Sequence, residues 1–410
     1  GNDDGDTTTL SVTNAGTIDG DTGIYINEGA TVSSLDNKAT GKITSIGTRS
    51  IRVVGGSIET LTNEGLIQGA IDPSGGEIGT FTNKGTMRAV DSTSTTRTSA
   101  SVVFSRGTIT TLINDATIEG RILSLSQGSL ASLTNNQGAT IRATGFDNEN
   151  RGAVVEIAGD TTVTNAGVIA ARLSDDDSYV TGSYGVTLTD GSATFNNLAG
   201  GVVGGAIAGL QIDKPSEGES TQANVTNAGT IEGSLFGMAV RADAFVDEFT
   251  NSEGGIIRGE QVGVSNEGTV STLANDGLIE GAVYQIADRT ITSLTNKGTI
   301  KAATGGERAG YAIYNAGTIT TLTNEASGTF EGKVLVGNVG TFTNKGLIDG
   351  EVELGGMALD LEGASGRITG KVTGTGPINV NGTFTTENTL DAEVINIGAS
   401  GSLTVNHAVT

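Results

Sequence analysis

The chain has 410 residues, with 46 acidic against 23 basic, a net charge of −23, no cysteine and a single histidine, His407. No disulfide or thiolate metal site is available, and one His excludes His-clustered zinc sites and most His-dependent catalysis. The charge repels nucleic acid, heparin-like polymers and anionic membranes. It leaves neutral surfaces, basic proteins or divalent cations as partners, and no run of 18 apolar residues offers a membrane-spanning helix.

The chain opens on Gly1-Asn2-Asp3-Asp4-Gly5, which lacks a signal-peptide pattern and reads as the start of a processed or trimmed fragment. The acids at Asp3, Asp4 and Asp6 read as a frayed end. From there one phrase recurs: Thr-Leu-Thr-Asn-x-Gly-(Thr/Leu)-Ile-x-Gly. Its Asn falls at Asn14, Asn37, Asn63, Asn83, Asn114, Asn135, Asn165, Asn196, Asn227, Asn251, Asn275, Asn296, Asn324 and Asn344. The spacings run from 20 to 31 residues, a period that means stacked supersecondary units. Within each copy Thr and apolar residues alternate, the period of a strand. The 64 glycines would be ruinous inside helices. Each unit is therefore expected to be three short strands and three corners, one rung of a parallel β-helix. Rungs stacked at the usual strand spacing would make a rod roughly 70–80 Å long, with about 14–17 rungs in all.

In Leu61-Thr62-Asn63 the pattern places Leu inward, Thr outward and Asn inward at a corner. The recurrent Asn should stack into a ladder of amides, a way of satisfying buried polar groups. Gly65 is expected to supply a positive φ at that corner. Ile67 points inward again, and short apolar pairs close the rung, as in Ala70-Ile71, Val283 with Ile286, and Val352 with Leu354. A second Asn-x-Gly at Asn27, Asn266 and Asn315 is expected to build a second corner with the same chemistry.

Rungs differ mainly after the Ile-x-Gly strand. Four insertions fall there, at about Val90–Arg106, Thr144–Gly152, Leu173–Tyr184 and Ile212–Ala223. Sharing one slot, they should project from one side as a patch for partner recognition. Their aromatics Phe104, Phe146, Tyr179 and Tyr184 are the candidate partner-binding residues, able to stack on sugars, anchor a protein or simply pack the loops. Asp175, Asp176 and Asp177 form a weak candidate calcium site that lacks EF-hand spacing; a charge run in a loop is usually a solvated face. After about Gly356 the phrase stops. Residues 1–356 read as the repeat domain and 357–410 as divergent rungs, a cap or junction to a following domain.

Neither the Gly-x-Ser-x-Gly nucleophile signature nor the Walker phosphate loop occurs, and Gly374-Thr375-Gly376 does not complete a dinucleotide fingerprint. The calcium-roll nonapeptide is also missing. An Asp176–Arg151 pairing is the only suggestion of glycan chemistry, so no enzyme and no cofactor is expected. The repeated Thr-Asn-x-Gly-Thr-Ile-x-Gly phrase, with the acidic balance and lack of Cys, resembles the passenger domains of Gram-negative autotransporters over residues 10–356. The resemblance implies a right-handed β-helix on the cell surface or secreted, tethered to an outer-membrane barrel not in this chain. It also implies an adhesin or self-association module. Partners would be a host-cell or matrix protein or glycan, or another copy of the chain. The alternative is a polysaccharide-binding or -cleaving β-helix of tailspike or lyase type.

Overall fold

A computed structural model describes residues 10–91, 94, 101–124, 128–172, 174–175, 177–214, 220–364 and 366–407. The chain is a right-handed parallel β-helix without helices among the described residues. It divides into two compact units, Gly1–Gln222 and Ala223–Thr410. Residues beyond 356 continue as rungs of the second unit: Leu359–Leu361 pairs with the strand that ends at Asn344, and Ile378–Val380 pairs with Leu359–Leu361.

The rung from Ser57 shows how sequence becomes structure. The strand Ser57–Asn63 forms a ladder face, with Ile58, Leu61 and Asn63 fully buried and Thr60 and Thr62 turned out. The strand Leu66–Asp72 then supplies two further faces, bending at Gly69, and buries Ile67, Ala70 and Ile71. The next rung repeats this one in register: Leu61 lies against Phe81, Asn63 against Asn83 and Ile67 against Met87. The core is thus made of stacked columns of aliphatic and Phe side chains, not of a globule's interdigitated layers.

Asn side chains line one edge of that core. In the first unit each amide nitrogen donates to the next side-chain oxygen, from Asn14 through Asn37, Asn63, Asn83, Asn114, Asn135 and Asn165 to Asn197, every step 2.8 Å. The second proton reaches a carbonyl of the following rung, as from Asn63 to Thr86 at 3.3 Å. In the second unit the same chain of bonds runs from Asn227 to Asn344 at 2.7–2.9 Å. It stops where Leu361 takes the place of Asn beside Asn344.

Three expectations are corrected. Asn196 is not in the ladder: Thr164 pairs with Asn196 and Asn165 with Asn197, so Asn196 faces outward and Asn197 is buried. Gly65 does not adopt a positive φ. A Cβ there would run into the Gly41 and Lys38 carbonyl oxygens of the rung below, and close approach is what requires glycine. The positive φ sits at Gly69, at 116°. The second corner is irregular. Asn266 and Asn315 are buried, but Asn27 is exposed and Ile26 holds the inward place. Gln285, not Ile286, fills the position between Asn266 and Asn315. Asn266 donates to Gln285 at 2.7 Å, yet the Gln285 Nε2 and the Asn315 Oδ1 are buried without partners. Gln is one methylene longer than Asn, so the amide-to-amide relay fails there.

The insertions also divide differently. Three leave the corner between the second and third faces: after Thr86–Arg88, after Thr140–Arg142 and after Val168–Ala170. The first is shorter than expected, because Ser101–Ser105 is a core strand with Val102 and Val103 fully buried. The fourth leaves the next corner, between Ala208–Ile212 and Thr221–Asn227. A further excursion, Ala302–Gly310, leaves the first of these corners in the second unit, between Thr299–Lys301 and Tyr311–Asn315. Excursions therefore occur in both units.

Candidate interaction surfaces

The ladder face has an outer side as regular as its inner one. Because side chains alternate, the residues flanking each buried Leu, Val or Phe point out and stack in register. In the first unit one column reads Ser34, Thr60, Thr80, Thr111, Ser132, Thr162 and Thr194. The other reads Asp36, Thr62, Thr82, Ile113, Thr134, Thr164 and Asn196. In the second unit the columns run Glu248, Thr272, Ser293, Thr321, Thr341 and Thr250, Ala274, Thr295, Thr323, Thr343. Each pair of columns carries one charge, although the chain carries 69 charged side chains (46 acidic and 23 basic). Thr60 donates to the Ser33 carbonyl at 2.9 Å and Thr250 reaches Glu248 at 3.4 Å. The other hydroxyls of these columns make no hydrogen bond to the protein among the described residues.

Ion pairs line the second face. Arg88 meets Glu119 at 2.6 Å in the first unit. In the second unit Arg258 bonds Glu280 and lies 3.6 Å from Glu232, and Lys301 lies 3.7 Å from Glu331. Each exposed pair contributes at most about 1 kcal/mol, but together they neutralise adjacent rungs that would otherwise repel.

The excursion residues are spent largely on the rungs they cross. Phe146 is 5% exposed and lies under the Arg121 guanidinium, 4.9 Å from ring centre to Cζ. That burial removes Phe146 as a partner anchor. Arg121 itself is buried, bonding the Ala153 carbonyl at 3.1 Å and Glu156 at 3.3 Å. Tyr179 packs against the Arg172 guanidinium at 4.6 Å and covers the Gly204 backbone, where a Cβ would strike its ring. Tyr184 is half-buried on the strand Ser183–Thr189, in register with Ala153 and Ala208. The Phe104 side chain, Leu173 and Asp176 lie outside the described residues, as does the cluster Asp3, Asp4 and Asp6.

Asp175 does not converge with Asp177. It accepts from Arg142 at 2.6 Å, and this bond, with Arg172 at 3.8 Å, holds its carboxyl below the usual range. Asp177 instead accepts from the Ser174 backbone at 2.9 Å. Among the described residues no three His, Cys, Asp or Glu side chains gather around a metal-sized space. At the end of the first excursion Arg106 reaches Asp72 at 2.8 Å, and Arg49 reaches the same oxygen at 2.5 Å. Asp72 is fully buried, so this ion cluster pins the excursion to two lower rungs.

One cluster escapes the sequence reading. Tyr284, Tyr311 and Tyr314 meet on the third face of the second unit, with ring centres 5.6 and 5.1 Å apart. Arg308, from the unforeseen excursion, lies 3.8 Å over Tyr284, and Lys333 lies 5.3 Å over Tyr311. Lys333 also bonds Glu353 at 2.5 Å, which raises its pKa. Beside this excursion is a cavity of about 370 Å³ lined by Arg258, Glu260, Glu280, Lys301, Thr304 and Glu331. The signal was half of the chain's 6 tyrosines falling within two neighbouring repeats.

Compared with protein-family models, curated proteins and solved structures, the chain matches none.

Proposed function

We propose that the chain is a cell-surface adhesin or self-association module, a passenger domain of the autotransporter kind displayed by a Gram-negative bacterium. The observation that supports this reading is the outer side of the ladder face. Its two columns offer hydroxyl groups at a fixed rung spacing and carry one charge in each unit, with the remaining acids of these strands, such as Glu59, Glu77 and Asp247, standing beside them. Each hydroxyl can donate and accept, and each contact is weak. Many such contacts held in register by a rigid backing add up, because the second and later contacts form at high effective concentration. The acidic remainder keeps the surfaces apart wherever the columns are not engaged.

The test is to display the chain on bacterial cells and follow their settling. Replacing Thr82, Thr134 and Thr164 with Glu should abolish aggregation while the circular dichroism melt stays in place. Aggregation equal to wild type would remove the ladder face from the mechanism. A glycan-binding reading is favoured by the 370 Å³ cavity, with its acidic and basic lining, beside the Ala302–Gly310 excursion. In that reading glycan-array binding, lost in Lys301→Ala and kept in the Thr variants, would identify the cavity as the site. No catalytic role is proposed.

A further inference from the structure

We infer that the outer side of the ladder face binds ice. The inference rests on the same face as the adhesive reading but names a different occupant, a crystal of water.

The argument begins with spacing. Along the stack, adjacent rungs repeat about every 4.8 Å, and within a strand the two outward residues stand about 6.6–6.8 Å apart. The face is therefore a two-dimensional grid of hydroxyl positions rather than a scatter of them. Both repeats lie close to repeats in the oxygen lattice of ice. In the first unit the grid runs over six rungs, from Thr60 and Thr62 to Thr194 and Asn196, with Ile113 the one side chain unable to hydrogen-bond. In the second unit it runs over four, from Thr272 to Thr343, with Ala274 the corresponding gap.

The residue type matters as much as the spacing. Thr is stiff about χ1, so its methyl and hydroxyl are both held in place. The hydroxyl bonds a water, and the methyl leaves the neighbouring water little choice but to bond other waters. Beyond Thr60, the hydroxyls in these two stretches are not already used by the protein. The backing is rigid as well: each rung is tied to the next through the Asn relay immediately beneath the face.

Charge and aromatics argue against the other occupants. Ionised side chains order water radially and do not fit a lattice; the strands of the second stretch carry none, and in the first stretch they stand outside the two columns, at Glu59 and Glu77. Sugar rings pack on exposed aromatic faces, but the Phe residues of these strands, Phe81, Phe195 and Phe342, are fully buried inside.

The experiment uses the whole chain in an ice recrystallisation assay and a nanolitre osmometer. The wild type should arrest grain growth and shape ice crystals. Thr82→Tyr, which keeps the residue outward and adds bulk on the second rung of the first grid, should reduce both effects severalfold. Thr82→Ser should retain most of each. Arg308→Ala, on another face, should leave them unchanged. Chain that is folded by circular dichroism yet neither arrests grain growth nor shapes ice overturns the inference. So does a Thr82→Tyr variant with full activity. Because cell settling is measured at ambient temperature without ice, a chain that aggregates cells but ignores ice defeats this inference and leaves the adhesive one standing.

Discussion

The ladder face and the excursion corner are built from the same rungs and obey different rules. On the ladder face every rung repeats the last, polar groups are satisfied by identical neighbours and the two outer columns carry one charge in each unit. At the corner between the second and third faces each excursion is different. It is held by its own devices: Arg121 over Phe146, Arg142 with Asp175, Arg172 over Tyr179, Arg308 over Tyr284. A solenoid tolerates such departures because each rung contacts only its neighbours. The comparison separates what the fold needs from what it carries.

The largest effect should come from the ladder edge. In Gly65→Ala the new methyl group meets backbone carbonyls of the rung below, which cannot rotate away. A loss of about 3 kcal/mol is expected, the upper part of the overpacking range. A urea midpoint equal to wild type would show that the corner relaxes freely. Next is Asn296→Leu. It leaves the Asn275 amide without its acceptor and the Asn324 oxygen without its donor, for about 1–3 kcal/mol. The pair Asn197→Leu and Asn196→Thr sharpens the register: the first should cost the same about 1–3 kcal/mol, the second nearly nothing. Equal losses would contradict the register seen here.

The corner should respond less. Removing residues 174–181 breaks the exposed Arg142–Asp175 bond, an interaction of at most about 1 kcal/mol, and uncovers Gly204. The melt should shift slightly and remain cooperative. Loss of the folded state would mean that the excursion is part of the core. The smallest effect is electrostatic. The folded pKa of Asp175 is lowered from 3.8, so the pair's contribution is complete above that range and fades as pH falls through the lowered value. Asp175→Asn should therefore match wild type at low pH and differ slightly at neutral pH. A difference confined to acid would reverse the assignment.

Much of the ladder face is legible in the sequence because its determinants are local. Thr-Leu-Thr-Asn declares which residues point in, and the period declares what they stack on. Asn196 and Asn197 show the limit. Two adjacent Asn stand where the phrase offers one, and pairing with Asn165 fixes which of them is buried. Phe195, one place later than a ladder Leu would stand, is the hint. The role of Gly65 is invisible for a related reason, since the carbonyl it accommodates belongs to another rung. The Tyr cluster depends on three residues 27 and 30 positions apart meeting across rungs with an Arg from an excursion. No local pattern announces that. Phe146 and Tyr179 look available in the sequence because insertions usually face solvent, whereas here cations and glycine backbone receive them.

The central claim is that the hydroxyl columns on the outer side of the ladder face, and not the excursion corner, are the working surface. The most direct test displays three chains on cells: wild type, the Thr82→Glu, Thr134→Glu, Thr164→Glu variant, and the chain lacking residues 174–181. Melting is recorded for each. The account predicts folded protein in all three, with aggregation lost in the Thr variant and kept in the deletion. Aggregation kept in the Thr variant and lost in the deletion would contradict it.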